Sequence, residues 1–425
     1  MKRSLVGMGL IMLIGCASAA AEIVAITDAT VHTMGRSGTL DNATVLIDDG
    51  EVVAVGLDVD IPANARIIEG SDKIVTPGVF DTVSALGVRE VGAVDSTVDV
   101  EASSTSGPAF KVVDGFNPRS PTLVVNRIEG VTRGFLLPNP NSEGHVLAGT
   151  GSVVHFGATR DYIVNDNAAV VAYLGEQGAA MAGGARGHAL LSLEAALSDA
   201  EDYRDDKEGY DTGSTRELSL GKVDLEALQG VIRGRMPLVV VVNRAADIER
   251  VLDLANEYAI DLILYGGAEA WMVADRLAEA GVTVVLNPIQ NLPNQFETLN
   301  STFDNARRLH VAGVTIAFSH ADTHNPRNLT QLAGNAVANG LPWDVALRAI
   351  TVTPADLFGG SDTCCAIEPG NVADLVVWPA DPLEVTTYAD HVFIQGKEMP
   401  MKSRQTLLRD RYLDLKDDLP FMYRK

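Results

Sequence analysis

Apolar and polar positions divide the chain into two β-rich ends and a long middle of alternating elements. From Ile23 to Met34 β-branched residues predominate, and Gly35-Arg36-Ser37-Gly38 reads as a turn. The stretch from Ala43 to Gly56 reads as a hairpin with Asp49-Gly50 at its tip, since Asp-Gly suits the left-handed backbone of a tight turn. A second β-rich stretch runs from Val372 to Lys397. Two such pieces flanking one long insert predict a small β-sandwich built from both ends of the chain.

The middle has another rhythm. Leu238 to Val242 is an unbroken apolar run, the signature of a strand buried on both faces. Ala245 to Tyr258 follows, with Ile248, Val251, Leu252 and Ala255 at helical spacing. Strands are then predicted at Asp261–Tyr265, Val282–Leu286 and Val314–Phe318, and helices at Glu269–Ala280, Phe303–Val311 and Asn328–Asn339. Alternation of this kind means right-handed βα units, and their length favours a closed, TIM-like (β/α)8 barrel over an open sheet. Residues 178–187 are rich in small side chains and read as a flexible loop; residues 198–219 are acidic and polar and read as a solvated loop or lid. In the tail, Leu408, Tyr412 and Leu415 share one helical face that would dock on the body.

Composition adds constraints. A length of 425 residues exceeds one ordinary core. The net charge of −23 repels phosphate backbones and anionic lipid, so nucleic acid is not an expected partner. Lys2 and Arg3, the apolar Leu5–Leu13 and the small residues Ala17 to Ala21 have the pattern of an export signal, which places the protein in the periplasm. Leu13-Ile14-Gly15-Cys16 also resembles a lipobox, and two outcomes stay open: an outer-membrane lipoprotein anchored through Cys16, its only expected contact with membrane, or ordinary cleavage after Ala19 or Ala21. The other two cysteines, Cys364 and Cys365, are adjacent, and either a strained bridge or two thiols would fit. The expected division is a signal peptide (1–21), a leading sandwich segment (22–77), the barrel (78–362), a returning sandwich segment (363–400) and a helical tail (401–425).

The segment Lys73-Ile-Val-Thr-Pro-Gly78-Val-Phe-Asp81-Thr-Val83-Ser-Ala85 resembles the start of the first barrel strand of the amidohydrolase superfamily. That family reads Thr-Pro-Gly-x-x-Asp-x-His-x-His there. Asp49–Gly56 with Ile61–Ala65 resembles the sandwich leading into it. Thr351–Gly359 resembles the closing barrel helix, and Ile367–Trp378 with Asp381-Pro-Leu383 the return to the sandwich. The likeness spans nearly the whole chain beyond the leader and is greatest to the exported imidazolonepropionase-like branch.

The resemblance implies hydrolysis of amide, cyclic amide or ester bonds by one or two divalent metals held at the strand ends. A metal takes the pKa of bound water from about 15.7 to about 7, worth roughly 12 kcal/mol at 1.36 kcal/mol per unit. The ligand positions depart from that pattern. Val83 and Ala85 stand where the paired histidines are expected, Val241 or Asn243 at the fifth-strand histidine, and Tyr265 or Gly266 near the sixth. Neither Lys207 nor Lys222 ends an apolar strand, as a bridging carbamylated lysine would.

The eighth-strand aspartate falls near His320 or Asp322, in a segment where His320, Asp322 and His324 alternate. An extended chain would turn all three to one side, a set that zinc or iron accepts. These three are the candidate catalytic residues, against the alternative of solvated loop residues. The remaining histidines, among them His145, His155, His188 and His310, read as surface or satisfied core groups. No metal ligand set and no cofactor are expected, a single zinc ion being the alternative. The functional expectation is an exported binding or accessory protein that has lost catalysis. The alternatives are an active carbon–nitrogen hydrolase with a reduced metal site and a metal-free subunit. Expected partners are a small molecule, further copies of the chain or an active amidohydrolase.

Overall fold

The computed structural model describes residues 22–101, 107–140, 145–320, 324–359, 364–413 and 422. The leader, Cys16, Asp322 and Leu415 lie outside the described residues.

Both chain ends build one sheet. Its strands are β1 (Val24–His32), β2 (Thr39–Asp48), β3 (Glu51–Gly56), β4 (Arg66–Glu69) and β5 (Ile74–Pro77) from the front of the chain. β14 (Leu375–Trp378), β15 (His391–Ile394) and β16 (Lys397–Glu398) come from the back. The order is β16-β15-β14-β5-β1-β2-β3, with β4 beside β1. The two ends join where β5 and β14 pair antiparallel, Thr76 opposite Val376. Val24, Ile26, Val45, Ile47, Val75, Leu375, Val377 and Phe393 form a core of their own here. The hairpin tip lies at Asp49-Gly50 as expected, both with positive φ.

Between these pieces lies the barrel sheet. It comprises β6 (Val79–Ser84), β7 (Val131–Leu136), β8 (Leu147–His155), β9 (Ile163–Tyr173), β10 (Leu238–Val242), β11 (Leu262–Gly266), β12 (Thr283–Leu286) and β13 (Ile316–Phe318), hydrogen bonded in that sequence. The β10 to β13 run follows the predicted βα rhythm and is parallel. The rule breaks at β8, which is antiparallel to both β7 and β9. The seam between β13 and β6 is bridged by a short segment: Phe318 N–H donates to Ala349 O at 3.0 Å and Phe80 N–H to Ile350 O at 2.8 Å.

The barrel interior is filled by inward side chains such as Phe80, Phe135, Val171, Val239, Ile263 and Val285. Phe135 stacks on Phe358, ring centroids 3.9 Å apart. Gly151 on β8 is required by this packing, since a Cβ there would overlap the Phe135 ring. Cys364 and Cys365 belong to the same interior cluster and are joined as a disulfide.

Three local expectations fail. The segment 178–187 is largely helical: a helix occupies Gly175–Met181 and a longer one starts at Arg186. The acidic stretch 198–219 is not a lid at its start. The helix Arg186–Asp205 runs into it with Leu193, Ala196, Leu197, Ala200 and Tyr203 buried, and burial of that stripe outweighs the polar composition. Arg216 then pins the following turn through Asp199 and Asp202. The tail helix Arg404–Leu413 buries none of its residues, leaving Leu408 38% and Tyr412 53% exposed. Among the described residues, no helix is long and apolar enough to cross a membrane.

Candidate functional site

Strand ends converge on a cavity of about 410 Å³. Ser84 ends β6, Leu137 follows β7, Tyr173 ends β9, Tyr265 and Gly266 end β11, and Ser319 and His320 follow β13; all line it. This is the C-terminal rim of the barrel, where loops free of ladder constraints carry chemistry in such folds.

The floor joins two ends of the sheet. His320 is buried, and its Nε2 lies 3.0 Å from Asp81 Oδ1. Asp81 is fully buried, and its second oxygen has no hydrogen-bond partner among the described residues. Two phenols, Tyr173 and Tyr265, line the cavity together with His320. The Tyr173 hydroxyl donates towards Pro138 O at 3.1 Å and Asn139 Oδ1 at 3.3 Å. Burial pushes this phenol far up, Tyr265 adding to the shift and Arg89 opposing it. Burial also raises Tyr265; the Ser319 hydroxyl works against that and the Asp81 charge adds to it. Both phenols are therefore neutral hydrogen-bonding groups at any ordinary pH.

The positions at which the resemblance demands ligands all reach this cavity. Val83, Ala85, Val241, Asn243, Tyr265 and Gly266 line it. Val83, Ala85, Val241 and Gly266 bring no donor atom to a cation. Asn243 is committed elsewhere: its Nδ2 donates to Glu297 Oε1 at 2.9 Å, and its Oδ1 accepts from Ala268 N–H at 3.4 Å. Gly266, with φ +102°, allows this approach, since a Cβ there would lie 2.7 Å from Asn243 Oδ1. Glu297 is itself buried and accepts from Glu176 N–H at 2.7 Å. Among the described residues no three His, Cys, Asp or Glu side chains gather in a metal-holding group. The described residues lining the cavity do not fit the family's metal centre.

The alternating triplet is divided. His320 is at the cavity floor, whereas His324 lines a different cavity, of about 420 Å³, between the helix Pro121–Arg127 and the start of the tail. Its carbonyl accepts from Asn126 Nδ2 at 3.1 Å. Asp322 lies outside the described residues. Lys207 and Lys222 are far from bridging duty, paired with Glu226 and Asp211 on the surface. Sequence reading misses the His320–Asp81 pair, although Asp81 stands three residues after Gly78 in the strand-entry motif. It also misses Tyr173 and the Asn243–Glu297 pair, which carry no spacing signal.

The amidohydrolase family model matches residues 239–399. A curated relative, amidohydrolase tasK from Hapsidospora irregularis, is 24% identical over 368 residues, covering 79% of this chain. The chain spans only 37% of that relative's length. The crystal structure of an amidohydrolase from Thermotoga maritima MSB8 superposes with a TM-score of 0.79 at 26% identity, covering 89% of this chain and all of that one. Molinate hydrolase shares the fold at a TM-score of 0.57 and 15% identity, covering 90% of this chain and 95% of its own. The composite sheet, the barrel with its rim cavity and these likenesses make the chain similar to the amidohydrolases, in sequence over residues 239–399 and in fold over 89% of its length.

Proposed function

We propose that the protein is an exported member of the superfamily that binds a small molecule at the barrel rim and does not perform the family's metal-dependent hydrolysis. One observation carries this reading: the positions that would grip a cation still face a formed cavity, but as Val83, Ala85, Val241 and a committed Asn243. An imidazole contributes a metal bond, whereas an isopropyl or methyl group offers only dispersion. Structural zinc sites reach about 10–16 kcal/mol from complete ligand sets, and one His–Asp pair is far from such a set. A cavity of about 410 Å³ falls within the usual span for small-molecule sites. Export rests on the basic, apolar and small-residue pattern of residues 2–21. The binding role is that of an accessory protein, acting alone or beside an active amidohydrolase.

The test is turnover of a panel of dipeptides and cyclic amides by the full chain with zinc, manganese or iron supplied. No metal-dependent product above background is expected. Hydrolysis that depends on added metal and is abolished in His320→Ala would overturn the reading in favour of a reduced metal site.

A further inference from the structure

The cavity of about 420 Å³ between the helix Pro121–Arg127 and the start of the tail shares no lining residue with the rim cavity. Its charge runs against that of the molecule. Arg327, Lys402 and Arg404 line it, and among the described residues no Asp or Glu does. The chain has 33 basic and 56 acidic residues, and other lysines are spent on carboxylates: Lys73 on Asp390, Lys111 on Asp166 and Lys222 on Asp211. None of the three lining cations has an ion pair among the described residues. The Arg327 charge is felt by Glu129, where it opposes the upward push of burial, but Glu129 does not line the cavity. Like charges around one cavity repel, and a bound anion relieves that repulsion.

The backbone that carries these cations is held in place. Asn126, fully buried, accepts from Arg327 N–H at its Oδ1 (2.9 Å) and donates from its Nδ2 to His324 O (3.1 Å). Both ends of one carboxamide thus fasten the Arg327 turn to the helix Pro121–Arg127. On the tail side, Ser403 Oγ accepts from Thr406 N–H at 3.2 Å. The N–H groups of Arg404 and Gln405, the first two of the ten-residue tail helix, have no acceptor among the described residues, and they add the positive end of the helix dipole to the side-chain charge. Val124, Val125 and Leu407 give the same lining an apolar part.

We infer that this cavity binds a small oxyanion, a carboxylate or a phosphate monoester, that carries a short apolar group. The oxygens meet Arg327 from the body and Lys402 and Arg404 from the tail; a planar guanidinium can offer two N–H groups to two oxygens at once. The apolar group covers Val124, Val125 and Leu407. Such a ligand joins the tail to the body, which the tail helix does not achieve by packing, since it buries none of its residues. The site is independent of what the barrel rim takes.

The experiment is isothermal calorimetry on the full chain with hexanoate and hexyl phosphate, their neutral counterpart hexanol, and acetate and inorganic phosphate, which lack the chain. At least one hexyl anion is expected to bind about tenfold or more tighter than hexanol and than its chainless counterpart. The stronger of the two arms tells carboxylate from phosphate. Arg327→Gln keeps the backbone N–H that Asn126 holds and removes the charge, so it should weaken binding about tenfold. Arg404→Gln, at an exposed position that folding does not depend on, should weaken it similarly. His320→Ala should leave the affinity unchanged. Equal binding of hexanol, no binding of either hexyl anion, or full affinity in Arg404→Gln and Arg327→Gln would overturn the inference. So would binding that is lost in His320→Ala and kept in the two arginine variants, which would put the ligand at the rim.

Discussion

His155 shows how a titratable group is spent on structure. Its Nδ1 accepts from Gly157 N–H at 3.1 Å, while Nε2 faces Asp161 O at 2.6 Å. Accepting at one nitrogen and donating at the other defines the neutral tautomer. Burial holds this imidazole below its ordinary pKa, against the pull of Asp161 and Asp374. His145 is alike, its Nδ1 accepting from Leu147 N–H at 3.1 Å and its pKa lowered by burial. Because the folded values are depressed, stability is fully present above the unfolded histidine pKa. It is lost as the pH falls, since the unfolded chain takes up the proton first. His155→Asn keeps an acceptor for Gly157 N–H and removes the titration. Urea denaturation should show a shallower loss of stability between about pH 7 and pH 5 in this variant; an unchanged slope would contradict the tautomer assignment. At this scale the chain is partly legible. The isolated histidines read as satisfied core or surface groups, and His145 and His155 are hydrogen bonded inside. The partnership of His320 with Asp81 is not legible, because 239 positions separate the two along the chain and only barrel closure brings them together.

At the scale of elements, the legible strands are those with a continuous or alternating apolar pattern. β10 to β13 and the hairpin at Asp49-Gly50 fall where the pattern puts them. β7 and β8 escape it for a physical reason. β8 contains Gly149 and Gly151, and β7 contains Gly134, where Phe110, Phe135 and Phe156 respectively need the space that a side chain would take. Glycine weakens the strand signal while tight packing creates the strand. β7 also carries Arg133, a charge in a fully buried strand. Its partner is Asp374, immediately before β14, at 2.5 Å, with side chains 3% and 1% exposed. Asp374 Oδ1 accepts in addition from Gln395 N–H. This pair ties the barrel to the composite sheet. Arg133→Met would leave the carboxylate buried without countercharge, at a cost of about 3–5 kcal/mol in chemical denaturation. Adding Asp374→Asn, which retains the acceptor for Gln395 N–H, should recover some of that loss. A cost below about 1 kcal/mol for Arg133→Met would contradict this account of the junction.

For the molecule as a whole, the fold is legible and the chemistry only in outline. Superfamily motifs sit at the joints between barrel and sheet, where glycine, proline and short turns are demanded by geometry; Gly78, for example, lies against Thr132 so closely that a Cβ would overlap it. The rim is under no such demand, and there Val83 and Ala85 stand where the resemblance expects histidines without naming what the cavity takes. The cavity survives because strand ends create it. Asn287, Gln290, Asn294 and Gln295 in its lining come from the segment after β12, whose shape no periodicity encodes.

The central claim is that this rim no longer grips the family's cation. The most direct measurement equilibrates the purified full chain with excess zinc, removes unbound ion by desalting and counts metal per chain by elemental analysis. The account expects less than about one ion per ten chains, with His320→Ala indistinguishable from the parent. A near-stoichiometric ion that disappears in His320→Ala would contradict it.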